Sequence, residues 1–127
     1  MLGRFRRKRA PVRDRTEDAE STWFWDHFDV APGQIEEFCV PSGVHLQGRD
    51  IADIGCGDGI MALGLVTRAQ PRMLVGMDIK PVDLESLLER ARRYGVANEL
   101  PDALSFQRSD PERLPAEDDS FDVVYTW

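Results

Sequence analysis

Cysteine is scarce in this 127-residue sequence, with Cys39 and Cys56 the only two. Neither has metal-ligand spacing and no disulfide framework can be drawn, so a reducing, cytoplasmic setting is expected. Histidine is equally sparse, and both His27 and His45 fall outside the motifs described below. No apolar run is long enough to span a membrane. The basic N-terminus is not followed by an apolar segment, which argues against a signal peptide. Basic charge is nearly missing from the body of the chain. Residues 1–15 hold seven of the 16 basic side chains (Arg4, Arg6, Arg7, Lys8, Arg9, Arg13, Arg15) against Asp14 alone. Residues 16–127 keep nine basic against 22 acidic residues, a net of −13. Such a body repels a polyanion, so any nucleic acid contact would rest on the arm. The arm lacks interleaved aromatics for base stacking, and a solvated tail is its simpler reading.

What is present is an alternation of strands and helices behind a lead-in. Residues 1–20 show no periodicity and are expected to form a disordered or loosely attached arm. Residues 21–49 form an aromatic-rich helical lead-in. Within STWFWDHF, Trp23, Phe24, Trp25 and Phe28 cannot share one side of a short helix. They either pack on the main domain, the simpler reading, or help cover a cofactor or substrate. A short helix is predicted over 32–40, with Pro32 in its first turn and Ile35 and Phe38 on one face. Residues 50–127 then alternate. Strands are predicted at 51–54, 73–78, 104–107 and 121–126. Helices are predicted at 59–69 and near 83–94, the latter with Leu84, Leu87, Leu88, Ala91 and Tyr94 at helical spacing and Gly95 as a stop.

Strands alternating with helices imply parallel strands joined by right-handed crossovers. The fold class is therefore α/β, an open doubly wound parallel sheet whose ligand site lies beyond the carboxyl ends of the strands. That rim receives the stretch DIADIGCGDG (50–59), then Asp78 and Asp110. Glycine at alternate positions lets the backbone lie against a ligand, and the following helix presents free N–H groups to it, as a nucleotide cradle requires. A dinucleotide fingerprint needs glycines at its first, third and sixth positions. From Gly55 these are Gly55, Gly57 and Ile60, so the third glycine is absent.

The pattern actually present is Asp53-x-Gly55-x-Gly57-x-Gly59. Here the chain resembles the class I S-adenosylmethionine (SAM)-dependent methyltransferases, whose first motif has this form. The resemblance implies a Rossmann-like domain over residues 50–127 with SAM as cofactor. It implies that Asp78, at the end of the second strand, accepts both ribose hydroxyls. An ionised carboxylate matches two donors, at about 1.5–3 kcal/mol for each charged hydrogen bond. Ile79 would pack on the adenine and Asp110 would accept from its amino group. The run LPAEDDSFDVVYTW is similar to the family's approach to strand four. One departure is Pro111, where the family often offers a backbone N–H to an adenine ring nitrogen; proline has none.

The candidate cofactor-binding residues are thus Asp53, Gly55, Cys56, Gly57, Gly59, Asp78, Ile79 and Asp110. Asp53 is either a ligand group or a brace for the loop backbone. Cys56 reads as a small filler, Asp58 as a helix cap, and Asp118 with Asp119 as a solvated turn. No catalytic residue and no metal site can be named. The family sheet carries more strands than the four read here, so the domain is expected to be truncated after its fourth strand. The expected function is the cofactor-binding portion of a methyltransferase, acting by in-line displacement on a small-molecule or lipid-like acceptor. Nucleic acid is not the expected partner, and self-association through an open sheet edge is a further possibility. A SAM-binding or assembly module without turnover, and a NAD-type nucleotide-binding domain, are the alternatives.

Overall fold

A computed structural model describes residues 19–127; the expected basic arm lies outside them except for Ala19 and Glu20, which are helical. The lead-in is one nearly continuous helical run. Helix α1 (Ala19–Trp25) passes into a π-helical turn (Asp26–Val30), then helix α2 (Ala31–Cys39) and a 3-10 turn (Val40–Ser42). Pro32 explains the wide turn. It has no N–H for the Phe28 carbonyl four residues back, and its ring would crowd that carbonyl in a regular α-helix. Gly43, at φ 66°, ends the run.

The domain follows as β1 (Asp50–Ile54), α3 (Ile60–Ala69), β2 (Met73–Asp78), α4 (Leu84–Arg93), β3 (Leu104–Arg108) and β4 (Val123–Tyr125). All pairings are parallel and the strand order is β3-β2-β1-β4. The chain thus steps outward from β1 to β3, then crosses back to place β4 on the other side of β1. Helix α4 is capped at both ends. Asp83 accepts the Ser86 N–H at 3.0 Å, and Gly95 at φ 69° lets the Val96 N–H reach the Ala91 carbonyl at 2.9 Å.

Side chains alternate across the sheet. Ile51, Leu74 and Leu104 join Ile60, Leu63 and Leu65 of α3, Leu87 and Ala91 of α4, and Phe24 of α1 in one core. Ala52, Ile54, Met77 and Val124 face the segment 112–121 across a cavity of about 550 Å³. Among the sequence's aromatics, Phe24 is fully buried and stacks on Tyr94, centroids 4.1 Å apart. Ile35 is buried as expected, whereas its helical neighbour Phe38 is 77% exposed. Leu84 is likewise exposed, because α4 buries only Leu87 and Ala91.

The lead-in reaches the domain through Gly64 of α3. A Cβ there would sit 2.0 Å from the Phe28 carbonyl oxygen, so only glycine permits this approach. Arg68, on the same helix, holds Asp29 at 3.1 Å and Glu36 at 2.9 Å. Among the described residues no helix is long and apolar enough to cross a membrane.

Candidate cofactor-binding site

The reversal of strand order places the topological switch point between β1 and β4, the position where open α/β sheets bind ligands. The loop leaving β1 occupies it. Gly55, Gly57 and Gly59 all have positive φ, at 77°, 58° and 85°. The Gly55 and Cys56 N–H groups donate to the Met77 carbonyl at 2.7 and 3.1 Å, which ties the loop to the end of β2. Asp58 Oδ1 accepts the Ile60 N–H at 3.2 Å from one residue before the α3 N-cap, which is Gly59 rather than the expected Asp58, while its Oδ2 accepts from Arg90 of α4 at 3.1 Å.

Asp78 closes the other side of the loop. Its Oδ2 accepts the Gly57 N–H at 2.8 Å and its Oδ1 accepts the Lys80 N–H at 3.1 Å. These backbone donors hold its carboxyl below the usual carboxylate range. Each oxygen keeps a lone pair in reserve, so the group is an ionised, two-oxygen acceptor already locked in place. This chemistry fits a vicinal diol.

Asp53 is a different kind of carboxylate. It is 3% exposed and accepts the Tyr125 O–H at 2.8 Å across the β1–β4 pairing. Burial pushes its carboxyl up to about 6 against the opposing Tyr125 hydrogen bond, and the Asp78 charge adds to the rise. The Tyr125 hydroxyl is raised by its own burial and by Asp53. Cys56 is buried beside them, and its thiol is pushed up to about 12 by burial and by the Asp53 and Asp78 charges. It is a neutral thiol and no nucleophile, in line with a filler role.

Two cavities lie along the rim; Asp78 lines neither, but it bonds Gly57 of one and precedes Ile79 of the other. One, of about 370 Å³, is lined by Asp53, Gly55, Cys56, Gly57 and Asp58 from the β1 side, and by Trp23, His27, Met61 and Trp127. The other, of about 530 Å³, lies beyond β2 and β3 and is lined by Ile79, Arg108, Ser109, Asp110 and Pro111. Ile79 is 52% exposed there, an apolar side chain free to meet a flat ligand. Asp110 Oδ1 accepts the Glu112 N–H at 2.8 Å, so the amide nearest to the missing Pro111 donor is already engaged.

The structure therefore gathers Asp53, Gly55, Cys56 and Gly57 at one cavity and Ile79 with Asp110 at the other, while Asp78 and Gly59 line neither. The Gly59 α-carbon is pressed against the core, where a Cβ would meet Phe106 at 2.7 Å and Leu87 at 3.2 Å. Trp23, His27 and Trp127 were not singled out by the motifs, yet they line the cavity together with the glycine loop. Of the lead-in's aromatics, Phe24 packs in the core as expected and Trp23 lines the cavity. Only the aromatic density of STWFWDHF pointed to them. Among the described residues no group of three or more His, Cys, Asp or Glu is placed to hold a metal.

Comparison with known proteins agrees with this geometry. Residues 51–127 match the family model described as "Methyltransferase domain". A ribosomal protein L11 methyltransferase of Alteromonas mediterranea is 41% identical over 58 residues, covering 46% of this chain and 20% of that protein. A phthiotriol/phenolphthiotriol dimycocerosates methyltransferase of Mycobacterium leprae is 35% identical over 81 residues, covering 64% and 27%. The chain thus spans about a fifth to a quarter of the length of these relatives. Among solved structures, the Haemonchus contortus phosphoethanolamine N-methyltransferase 1, in complex with phosphoethanolamine and S-adenosylhomocysteine, has a TM-score of 0.53 at 24% identity. It covers 87% of this chain and 22% of that one, and the likeness is one of fold. The family match covers the whole strand–helix region that builds the rim, and with it the chain belongs to the class I SAM-dependent methyltransferases.

Proposed function

We propose that this chain is the methyl-donor-binding part of a SAM-dependent methyltransferase, with the donor laid along the rim of the sheet. The observation that carries the reading is Asp78, ionised and fixed by the N–H groups of Gly57, which lines one cavity, and of Lys80, which follows Ile79 of the other. In this reading the donor follows the strand order. Asp110 and Ile79 at β3 and β2 take the adenine, Asp78 takes the ribose hydroxyls, and the β1 loop with Asp53 takes the methionine end. From β3 to β1 the donor crosses two strand spacings, about 10 Å at the strand ends. Gly55 and Gly57 allow the backbone close approach. Cys56 and Gly59 act beneath the ligand, one as filler and one as the contact that seats α3 and the loop on Phe106.

SAM supplies a methyl group already activated by the sulfonium. What remains for the protein is alignment and electrostatics. Holding donor and acceptor in line is worth about 7–11 kcal/mol. The buried Asp53 carboxylate places negative charge beneath the cationic end of the donor, in a water-poor setting where it acts strongly. The acceptor we assign is a small molecule or lipid-like compound rather than nucleic acid, because residues 16–127 carry a net charge of −13. The named relatives are consistent with a family of broad acceptor range, one acting on a ribosomal protein and one on a lipid.

Calorimetry with S-adenosylhomocysteine tests the reading. The chain is expected to bind it, and Asp78→Ala is expected to weaken binding by about 100-fold or more, as two charge-assisted hydrogen bonds are lost. Binding that is indifferent to Asp78→Ala, or displaced by NAD in preference, would overturn it.

A further inference from the structure

The donor-holding residues leave one polar side chain of the switch-point cavity without a role. His27 lies on the π-helical turn and lines the cavity together with Trp23, Trp127, Asp53 and the glycine loop. Its Nδ1 is 2.7 Å from the Trp23 carbonyl oxygen. A carbonyl can only accept, so Nδ1 carries the hydrogen and the lone pair of the neutral ring is on Nε2. What His27 can offer the cavity is therefore a proton-accepting nitrogen. The ring is also fixed in plane. It stacks on Trp23 with centroids 4.0 Å apart and 22° between planes. Trp23 is in turn held by Arg90, whose guanidinium carbon is 4.9 Å from the indole centre and which binds Asp58 of the loop. A side chain on a helical lead-in is thus braced against the glycine loop through three contacts.

We propose that His27 stands beside the methyl group in transfer and is the base that takes the proton released by the acceptor. This rests on the donor-binding reading above, which puts the methyl-bearing end at the β1 loop. The acceptor is then a neutral nucleophile that must lose a proton, a hydroxyl. Its lone pair forms the new bond to the methyl carbon as the carbon–sulfur bond breaks. That bonding pair stays on sulfur, giving a neutral thioether, and the acceptor's proton passes to Nε2. Positive charge moves from sulfonium to imidazolium within one cavity, so Asp53 and Asp58 stabilise the state before and the state after.

The donor and its product differ by that charge, which gives a test without any acceptor. The ionisable groups around His27 are Asp26 and Asp29 on its own turn, Asp53, Cys56 and Asp58 from the loop, and Arg90 behind Trp23. Affinities of the intact chain for SAM and S-adenosylhomocysteine would be measured by calorimetry from about pH 5.5 to pH 8, where imidazoles titrate. As pH falls, SAM should lose about tenfold in affinity relative to S-adenosylhomocysteine, because an imidazolium repels the sulfonium and spares the thioether. His27→Gln should remove most of that drift, and the remainder would trace Asp53, which takes up a proton at about 6. His27→Phe, which keeps a ring on Trp23, should give the same reduced drift. Wild-type and variant profiles that superimpose would overturn the proposal and leave the donor site standing. Failure of the wild type to bind either ligand would bring down both.

Discussion

Asp53 and Asp78 end neighbouring parallel strands, on one rim, with the same side chain and opposite physics. Asp78 meets two backbone N–H groups, stays partly open to water and is held low. Asp53 is sealed beneath the loop, with a single tyrosine hydroxyl for company, and is pushed up to about 6. The difference comes from what lies over each strand end. The β1 end is covered by the lead-in and flanked by β4, whereas the β2 end opens toward the exposed Ile79. One carboxylate is a ready hydrogen-bond acceptor that costs the fold little. The other is a charge kept where water cannot stabilise it, which is useful only to a cation that comes to it.

The cover over β1 depends on Gly64, so Gly64→Ala is the strongest way to break the contrast. The new Cβ cannot coexist with the Phe28 carbonyl oxygen 2.0 Å away, and backbone atoms do not yield as a flexible side chain would. A loss of about 3 kcal/mol or more in urea unfolding is expected. The lead-in, and with it Trp23 and His27, should lift from the cavity while Asp78 keeps its partners. An unchanged urea midpoint would show that α3 and the π-helical turn do not touch this closely.

Asp53→Asn should erase the contrast from the other side. A raised carboxyl means that the folded chain holds its proton more tightly than the unfolded chain. Its stabilising effect is full below about pH 4 and is lost as pH rises through about 6, so at neutral pH the ionised group opposes folding. Asparagine keeps an acceptor for the Tyr125 hydroxyl without the charge. A gain of about 2 kcal/mol at pH 7.5 is expected from thermal or urea melts, fading toward pH 4. The same variant should bind SAM less tightly. A variant that is less stable than wild type at pH 7.5 would mean that the hydrogen bond outweighs desolvation.

How much of this was legible in the sequence follows from the kind of signal each residue sends. Gly55, Gly57 and Asp78 announce themselves, because backbone freedom and a strand-end carboxylate are local properties. The four strands and both domain helices came from periodicity, within two residues at each boundary. Phe38 did not, since helical phase says which residues share a face but not where the helix leaves the body. Gly64 gives no signal at all; inside an apolar helix pattern it reads as a propensity loss of about 1 kcal/mol. His27 was hidden for a related reason. Trp23 and His27 share a helical face at i,i+4 spacing, but the sequence does not say that this face meets the β1 loop. The half of the rim built by one segment was readable, and the half built by two segments meeting was not.

Asp110 offers the finest test, because it has two tasks that one substitution can separate. Its Oδ1 holds the Glu112 N–H and shapes the turn after β3, while its exposed position leaves the other oxygen for an adenine amino group. Asp110→Ala should cost about 1 kcal/mol in S-adenosylhomocysteine affinity, roughly fivefold, with little change in overall stability at an exposed site. Asp110→Asn is the more telling variant. Its single carbonyl oxygen can serve the Glu112 N–H or the adenine amino group, but the amide nitrogen would face a donor in whichever place remains. Asparagine should therefore recover no more than part of the lost affinity. Full recovery would assign Asp110 to the turn alone and move adenine recognition to Ile79 and the neighbouring backbone.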